Sequence, residues 1–364
     1  MPNHKHFARR LVATGAIAAL TVLGFTACSS TSSSSSSSSK VGVALIVKTT
    51  TNPYFVAMET AAKAAAAKDG VSLTLAAGKA DGDVPTQVQA IEAAIARGDK
   101  GILITPNGNG VNSALAKARK AGLYTIALDT VPTPPSAVDI TFATDNYAAG
   151  QAIGKWTAAK LDGKHADIAM IDLFNTQVVS VDLNRDQGFL NGLGIKVPDA
   201  NKNGSEAPTG HYTGGKGGTY TIAGHQPSNG DIPDGRTAME TILAKDPNVN
   251  VVYGINEPAA YGAYEALKAA GKEKGVLIVA IDGGCTGVGW VKSGILGATS
   301  QQYPSKMASE GMAAIVKLAK KGVAPKPSGN LGFFNTGSRL ITDQPVSGLP
   351  SVTSDQGEAT CWKN

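Results

Sequence analysis

The chain has 364 residues, with 33 Lys and Arg against 28 Asp and Glu, 5% aromatic residues and three cysteines. Three of the basic residues, Lys5, Arg9 and Arg10, precede the folded part, which leaves 30 against 28, a near balance that offers nothing to a nucleic-acid partner. From residue 40 the length suffices for two domains of ordinary size, and abundant Ala, Gly and Val suit close packing of helices on sheets.

After the basic residues comes an uncharged apolar run, residues 11–25, about fifteen residues against the twenty or so that span a bilayer. It reads as a secretory signal. Thr26, Ala27 and Cys28 then resemble the bacterial lipoprotein signal, with Phe25 in place of the usual leucine. That resemblance implies removal of residues 1–27 and lipidation of Cys28, so that a cell-surface or periplasmic protein touches the membrane only through its N-terminal lipid. A membrane-spanning anchor is the alternative. Residues 28–39, almost all serine, are expected to form a flexible tether, because such a tract buries no apolar surface. The exported body keeps Cys285 and Cys361. An oxidising compartment favours a disulfide between them; two free thiols or a metal site are the alternatives, and zinc would call for clustered histidines that are absent.

Strand-like runs rich in Val, Ile and Leu alternate with Ala-rich helical stretches, the pattern of α/β lobes with parallel sheets. Residues 41–47 form the first expected strand, Asn52 and Pro53 open a helix over 54–68, and Gly70 ends it. Residues 71–75 are the next strand, Asp83 and Pro85 open a helix reaching Arg97, and 101–105 is a third strand. Asp81 and Asp83 around Gly82 read as a turn with a cap. Residues 111–120 and 123–128 complete another helix and strand. The proline-rich linker 131–136 precedes ITFATDN, after which a helix over 147–160 begins a second alternation, with strands at 167–172, 219–223, 249–253 and 276–281. Residues 197–218 show no periodicity and read as a surface excursion, whose GGKGG lacks the context of a phosphate loop. His165, His211 and His225 lack ligand spacing and read as surface residues. Trp156 is expected in the core, and Trp290 near the crevice.

Polar residues recur where the strands run out: Thr51 and Asn52, Asp129, Asn256, Asp282 and Gln302. In open α/β sheets those ends share a crevice, so residues distant in sequence converge on one small molecule. Two acids and several amides without a thiol nucleophile suit a neutral, hydroxyl-rich ligand. Each acid and Asn256 could equally be only a helix cap.

The ordered blocks TTTNPYFVAM, GILITPN, IALDT, ATDNYAAGQAIG, RDQGF, GINEPAAYGAYEALKAAG, IVAIDGG and GATSQQYP resemble the periplasmic sugar-binding proteins of the ribose-binding type, from about residue 41 to 342. LIVKTTTNPYF, NEPAA, DGGC, SQQYP and the terminal CW look most like the fructose-type receptors of bacterial ABC importers. The resemblance implies the type I periplasmic binding protein fold: two doubly wound parallel-sheet lobes joined by a multi-strand hinge, the first from residues 40–144 with 303–330 and the second from 145–302 with 331–364. It implies ligand contacts at Asn52, Tyr54, Phe55, Asp129, Arg185, Asn256, Asp282 and Gln302. Departures lie at Thr130, where ribose receptors carry an arginine, at Gly230, where an aromatic is expected nearby, and at Lys48 in place of a serine; they point away from ribose. Lys48 either restores a positive charge beside Asp129 or snorkels to solvent from the strand end.

Such a set can hold a sugar without chemistry. Asp129 and Asp282 accept from hydroxyls, Arg185 forks onto adjacent oxygens, the amides donate and accept, and Tyr54 and Phe55 cover the C–H face. Three charged and three amide partners gross about 8–12 kcal/mol, which reaches micromolar affinity after ordering costs. The expected function is therefore a monomeric receptor, without cofactor or metal, delivering a monosaccharide, fructose or a related hexose, to an ABC permease. A partner for a signalling receptor and a sugar hydrolase using Asp129 and Asp282 are the rivals. No GxSxG elbow, HExxH motif or dinucleotide fingerprint accompanies them.

Overall fold

A computed structural model describes residues 40–363; the signal segment, Cys28 and the serine tract lie outside the described residues. The first sheet is built from β1 (Gly42–Val47), followed by α1 (Pro53–Asp69), β2 (Ser72–Ala77), α2 (Val84–Arg97), β3 (Gly101–Ile104), α3 (Asn112–Lys120), β4 (Tyr124–Leu128) and β5 (Ile140–Ala143). Caps fall where polar side chains meet the first apolar turn: Asn52 accepts from the Tyr54 amide and Asp83 from that of Thr86. The strands are Val- and Ile-rich because helices cover both faces, giving two cores, one around Leu45, Met58 and Met312 and the other around Ile46, Ile91 and Leu115.

The chain then crosses to the second sheet through α4 (Asn146–Leu161), β6 (Ala166–Asp172), α5 (Ser180–Leu193), β7 (Thr209–Tyr212), β8 (Gly218–Pro227), α6 (Ile232–Lys245), β9 (Val251–Gly254), α7 (Glu257–Ala269), β10 (Leu277–Asp282), α8 (Cys285–Lys292) and β11 (Ala298–Gln301). It returns with α9 (Pro304–Lys321), which packs on α1, and β12 (Phe334–Asn335), then crosses a third time into β13 (Arg339–Ile341) and α10 (Ser354–Glu358). The sheet orders are β2-β1-β3-β4-β5-β12, all parallel, and β7-β8-β6-β9-β10-β11-β13, parallel except at its two edge strands. Both lobes are thus doubly wound, and three segments join them. Among the described residues no helix is long and apolar enough to cross a membrane.

Several local expectations need correction. Phe334 and Asn335 pair with Phe142 and Ala143 of β5, so the last crossing falls after Asn335 and not at residue 330. The aperiodic stretch 197–218 contains β7, because its glycine-rich turn folds Thr209–Tyr212 back onto β8 as an antiparallel edge. His225 is half-buried rather than a free surface residue: β8 lies inside the sheet beside β6, and its ring is held by Asp172 and Glu206. Trp156 is fully buried, as its Ala-rich helix suggests, with its indole N–H donating to the Gln344 carbonyl at 3.0 Å.

Candidate functional site

Strand tips from both sheets meet at one crevice. The β1 tip brings Lys48 and the start of α1 brings Asn52, Tyr54 and Phe55; Asp129 follows β4. From the second sheet come Arg185 on α5, Asn256 capping α7, Asp282 at the end of β10 and Gln302 after β11. All nine residues line a single inner cavity, with Asp81, Leu173, Val181 and Ile255 completing its wall. The cavity is small, about 30 Å³, and adjoins an outer crevice of about 810 Å³ walled in part by Asp231, Pro233, Trp290 and Trp362.

Arg185 is the electrostatic centre. Its Nη2 lies 3.9 Å from Asp129 of the first lobe and its Nη1 3.8 Å from Asp282 of the second, while Nε donates to Asn146 Oδ1 at 2.7 Å and Nη1 to the Ile255 carbonyl at 3.0 Å. These bonds fix the guanidinium plane. The Tyr54 hydroxyl donates to Asp129 at 3.0 Å and lies 3.2 Å from Gln302 Oε1, and Gln302 Nε2 donates to Asp282 at 2.8 Å, so one polar chain links the two acids. Burial and the neighbouring Asp129 charge push the Tyr54 phenol well above its ordinary range. Burial likewise raises Asp282 to about 6, against the pull of Arg185 and the Gln302 hydrogen bond.

Both acids have unusual backbones, Asp129 at φ 65° and Asp282 at φ 153°. Positive φ at a non-glycine residue costs about 1–3 kcal/mol and concentrates at functional positions, because the surroundings must hold it. At Asp282 the holder is Glu257, whose buried carboxylate accepts from the amides of Gly283 and Gly284 and from Thr299 Oγ1 at 2.8–3.2 Å. Burial, and then the Asp282 charge, raise Glu257 to about 8. The capping alternatives for the acids therefore fail: neither Asp129 nor Asp282 caps a helix, whereas Asn256 both caps α7 and reaches the cavity.

Lys48 does not snorkel. It is 2% exposed, and its ammonium stands 3.9 Å from both Asp129 and Asp81 and 5.9 Å from the centre of the Phe55 ring. Asp81 is the residue missed in the sequence. Its neighbour Asp83 takes the capping role, leaving Asp81 to face Lys48 beyond the β2 tip. Gly230, where an aromatic was expected nearby, sits at φ 73° with Asn256 and Leu173 closing on the space of a Cβ. An aromatic arrives instead from the C-terminus: Cys361 is bonded to Cys285, and the next residue, Trp362, packs edge-on to Tyr54 with ring centres 5.5 Å apart. Trp290 lines the outer crevice, stacked on Tyr261 at 4.3 Å.

Comparison with known proteins agrees with this architecture. Residues 43–322 match the model of the periplasmic binding protein domain. The ribose import binding protein of Haemophilus influenzae is 31% identical over 279 residues, covering 76% of this chain and 85% of that protein, and the D-allose-binding periplasmic protein of Escherichia coli is 26% identical over 77% and 85%. Among solved structures, a carbohydrate transporter solute-binding protein of Agrobacterium radiobacter in complex with D-arabinose superposes with a TM-score of 0.71 at 22% identity, over 89% of this chain and 99% of that one. A solute-binding protein of Actinobacillus succinogenes with bound D-allose gives 0.69 at 23%, over 88% and 100%. By fold, strand order and sequence, the chain belongs to the periplasmic binding protein family.

Proposed function

We propose that this protein is an exported receptor that binds one monosaccharide between its lobes, unchanged, and presents it to an ABC import permease. The observation that carries the reading is Arg185 poised between carboxylates from opposite lobes inside a cavity lined by aromatic and amide groups. Alternating donors and acceptors beside aromatic rings match a sugar ring, whose hydroxyls do both and whose C–H face is apolar. Names of the relatives, ribose and allose binders among them, support a monosaccharide. Thr130, Lys48 and Gly230 separate this site from the ribose pattern, and a hexose, fructose first, is the ligand we favour. Lipidation at Cys28 would hold the receptor at the membrane.

The inner cavity has room for a water or two and no sugar ring, so loading requires the lobes to part and the Tyr54 hydroxyl to release Asp129. A panel of pentoses, hexoses, ketoses and polyols in thermal-shift assays should single out one sugar, since a ligand specific to the native state raises its melting temperature. Recovery of that sugar intact, one per protein, is the expected result; conversion to product would make the protein a hydrolase instead, and no response to any sugar would end the proposal.

Asp129→Ala and Asp282→Ala should each weaken binding by about 2–3 kcal/mol in calorimetry while the variants still melt cooperatively, because each removes a charged acceptor. Unchanged titrations for both would remove the acids from the site. Affinity should also depend on pH. A hydroxyl donates best to ionised Asp282, and with this carboxyl at about 6 only about a tenth is ionised at pH 5, so affinity should be about tenfold weaker there than at pH 7. The empty protein responds in the opposite sense: the native state keeps a proton that the unfolded chain has lost, so this group makes it less stable as pH rises from 4 to 6. A flat affinity between pH 5 and 7 would contradict the assignment of Asp282.

A further inference from the structure

Behind the crevice wall of the second lobe lies a group of side chains that the sugar site does not use. Asp172 ends β6, Asp186 lies on α5 one position beyond Arg185, His225 is on β8, and Glu206 is brought over them by the segment between α5 and β7. Asp186 is fully buried, yet neither of its carboxylate oxygens has a hydrogen-bond partner; Asp172 Oδ1 and Glu206 Oε2 are likewise unpartnered. The Tyr253 hydroxyl, also fully buried, has no partner either, and after burial the Asp186 charge is what most raises its phenol. Buried carboxylate oxygens without hydrogen-bond partners are costly, and among the described residues Asp186 has only the His225 ring, 3.8 Å away, to face its charge.

We propose that Asp172, Asp186 and His225 Nδ1 form a binding site for a divalent transition-metal ion. His225 Nδ1 is 2.8 Å from Asp172 Oδ2 and 3.8 Å from Asp186 Oδ2, and the ligand atoms of all three lie within 4.8 Å of one another. A tetrahedral ion with arms near 2.0 Å sets its ligands about 3.3 Å apart, so the first two separations bracket that value, and the site forms when Asp172 opens slightly from the ring and Asp186 moves toward it. Glu206 Oε1 lies 2.7 Å from the other ring nitrogen, the outer-sphere carboxylate that orients a metal-bound imidazole. One imidazole with two carboxylates favours zinc or manganese over calcium, and water would take the open position. The ion would replace the Nδ1 proton of His225 and set two positive charges against the three acids where the imidazolium sets one.

Zinc titrated calorimetrically into the purified, chelator-stripped protein should bind with one equivalent. Asp186→Asn and His225→Gln should each weaken that step at least tenfold, whereas His165→Gln, at the exposed His165–Asp167 pair, should leave it unchanged. Cobalt gives a second readout that needs no variant to fold: visible bands of a low-symmetry site with nitrogen and oxygen ligands should appear and saturate at one equivalent. Absence of stoichiometric zinc uptake, absence of the cobalt bands, or uptake that survives both substitutions would overturn the proposal.

Discussion

Arg185→Met is expected to weaken sugar binding about 10- to 150-fold, the loss of a charged hydrogen-bonding group, and to destabilise the empty protein by about 3–5 kcal/mol at neutral pH. The guanidinium is the group that stands within 4 Å of both buried crevice acids, and methionine fills its volume without its charge. Asp282 would then sit buried with no cation beside it and would respond by taking up a proton, whereas Asp129 would keep Lys48 at 3.9 Å. The stability loss should therefore shrink at pH 5, where Asp282 is already largely protonated. Chemical denaturation at pH 5 and pH 8 checks this; an equal loss at both would mean that Arg185 acts by packing alone.

Gly188→Leu should cost about 3 kcal/mol or more and weaken the site from a distance. α4 and α5 touch backbone to backbone: a Cβ at Gly150 would strike the Arg185 carbonyl, at Gly154 that of Phe189, at Gly188 that of Tyr147 and at Gly192 that of Gln151. No flexible side chain can yield there, so added bulk must part the helices. Their contact also sets the 2.7 Å bond that Arg185 Nε donates to Asn146, which opens α4. Denaturant unfolding should show the lost stability and sugar titration a raised Kd. Gly289→Ala on α8, with nothing within 4 Å, is the matching control and should be neutral or slightly stabilising. Equal effects at the two glycines would refute the close-contact account.

Much of this was legible in the sequence because the signals are local. Asn52 before Pro53, Asp83 before Pro85 and Gly70 after Lys68 mark helix ends through bonds made within a few residues. Asn52, Asp129, Asn256, Asp282 and Gln302 were findable because strand tips in a doubly wound sheet face one way, whereas Lys48, Tyr54, Phe55 and Arg185, the last three on helices, came only with the family resemblance. What escaped depends on contacts between distant segments. Asp81 looks like half of a turn until Lys48 is placed opposite it. His225 looks like a solvent residue until Glu206, carried by an aperiodic stretch, closes over it. Trp362 gains meaning only from the Cys285–Cys361 bond, and β12 consists of two residues, too short for any periodicity to show.

The account rests on a sugar held by both lobes at once, and a crystal structure with the sugar chosen by the thermal-shift panel tests that most directly. It should show one ring against Tyr54 and Phe55, with hydroxyl oxygens at hydrogen-bond distance from Asp129, Arg185 and Asp282 together. A sugar seated against one lobe alone, or in the outer crevice with the inner cavity unchanged, would contradict it.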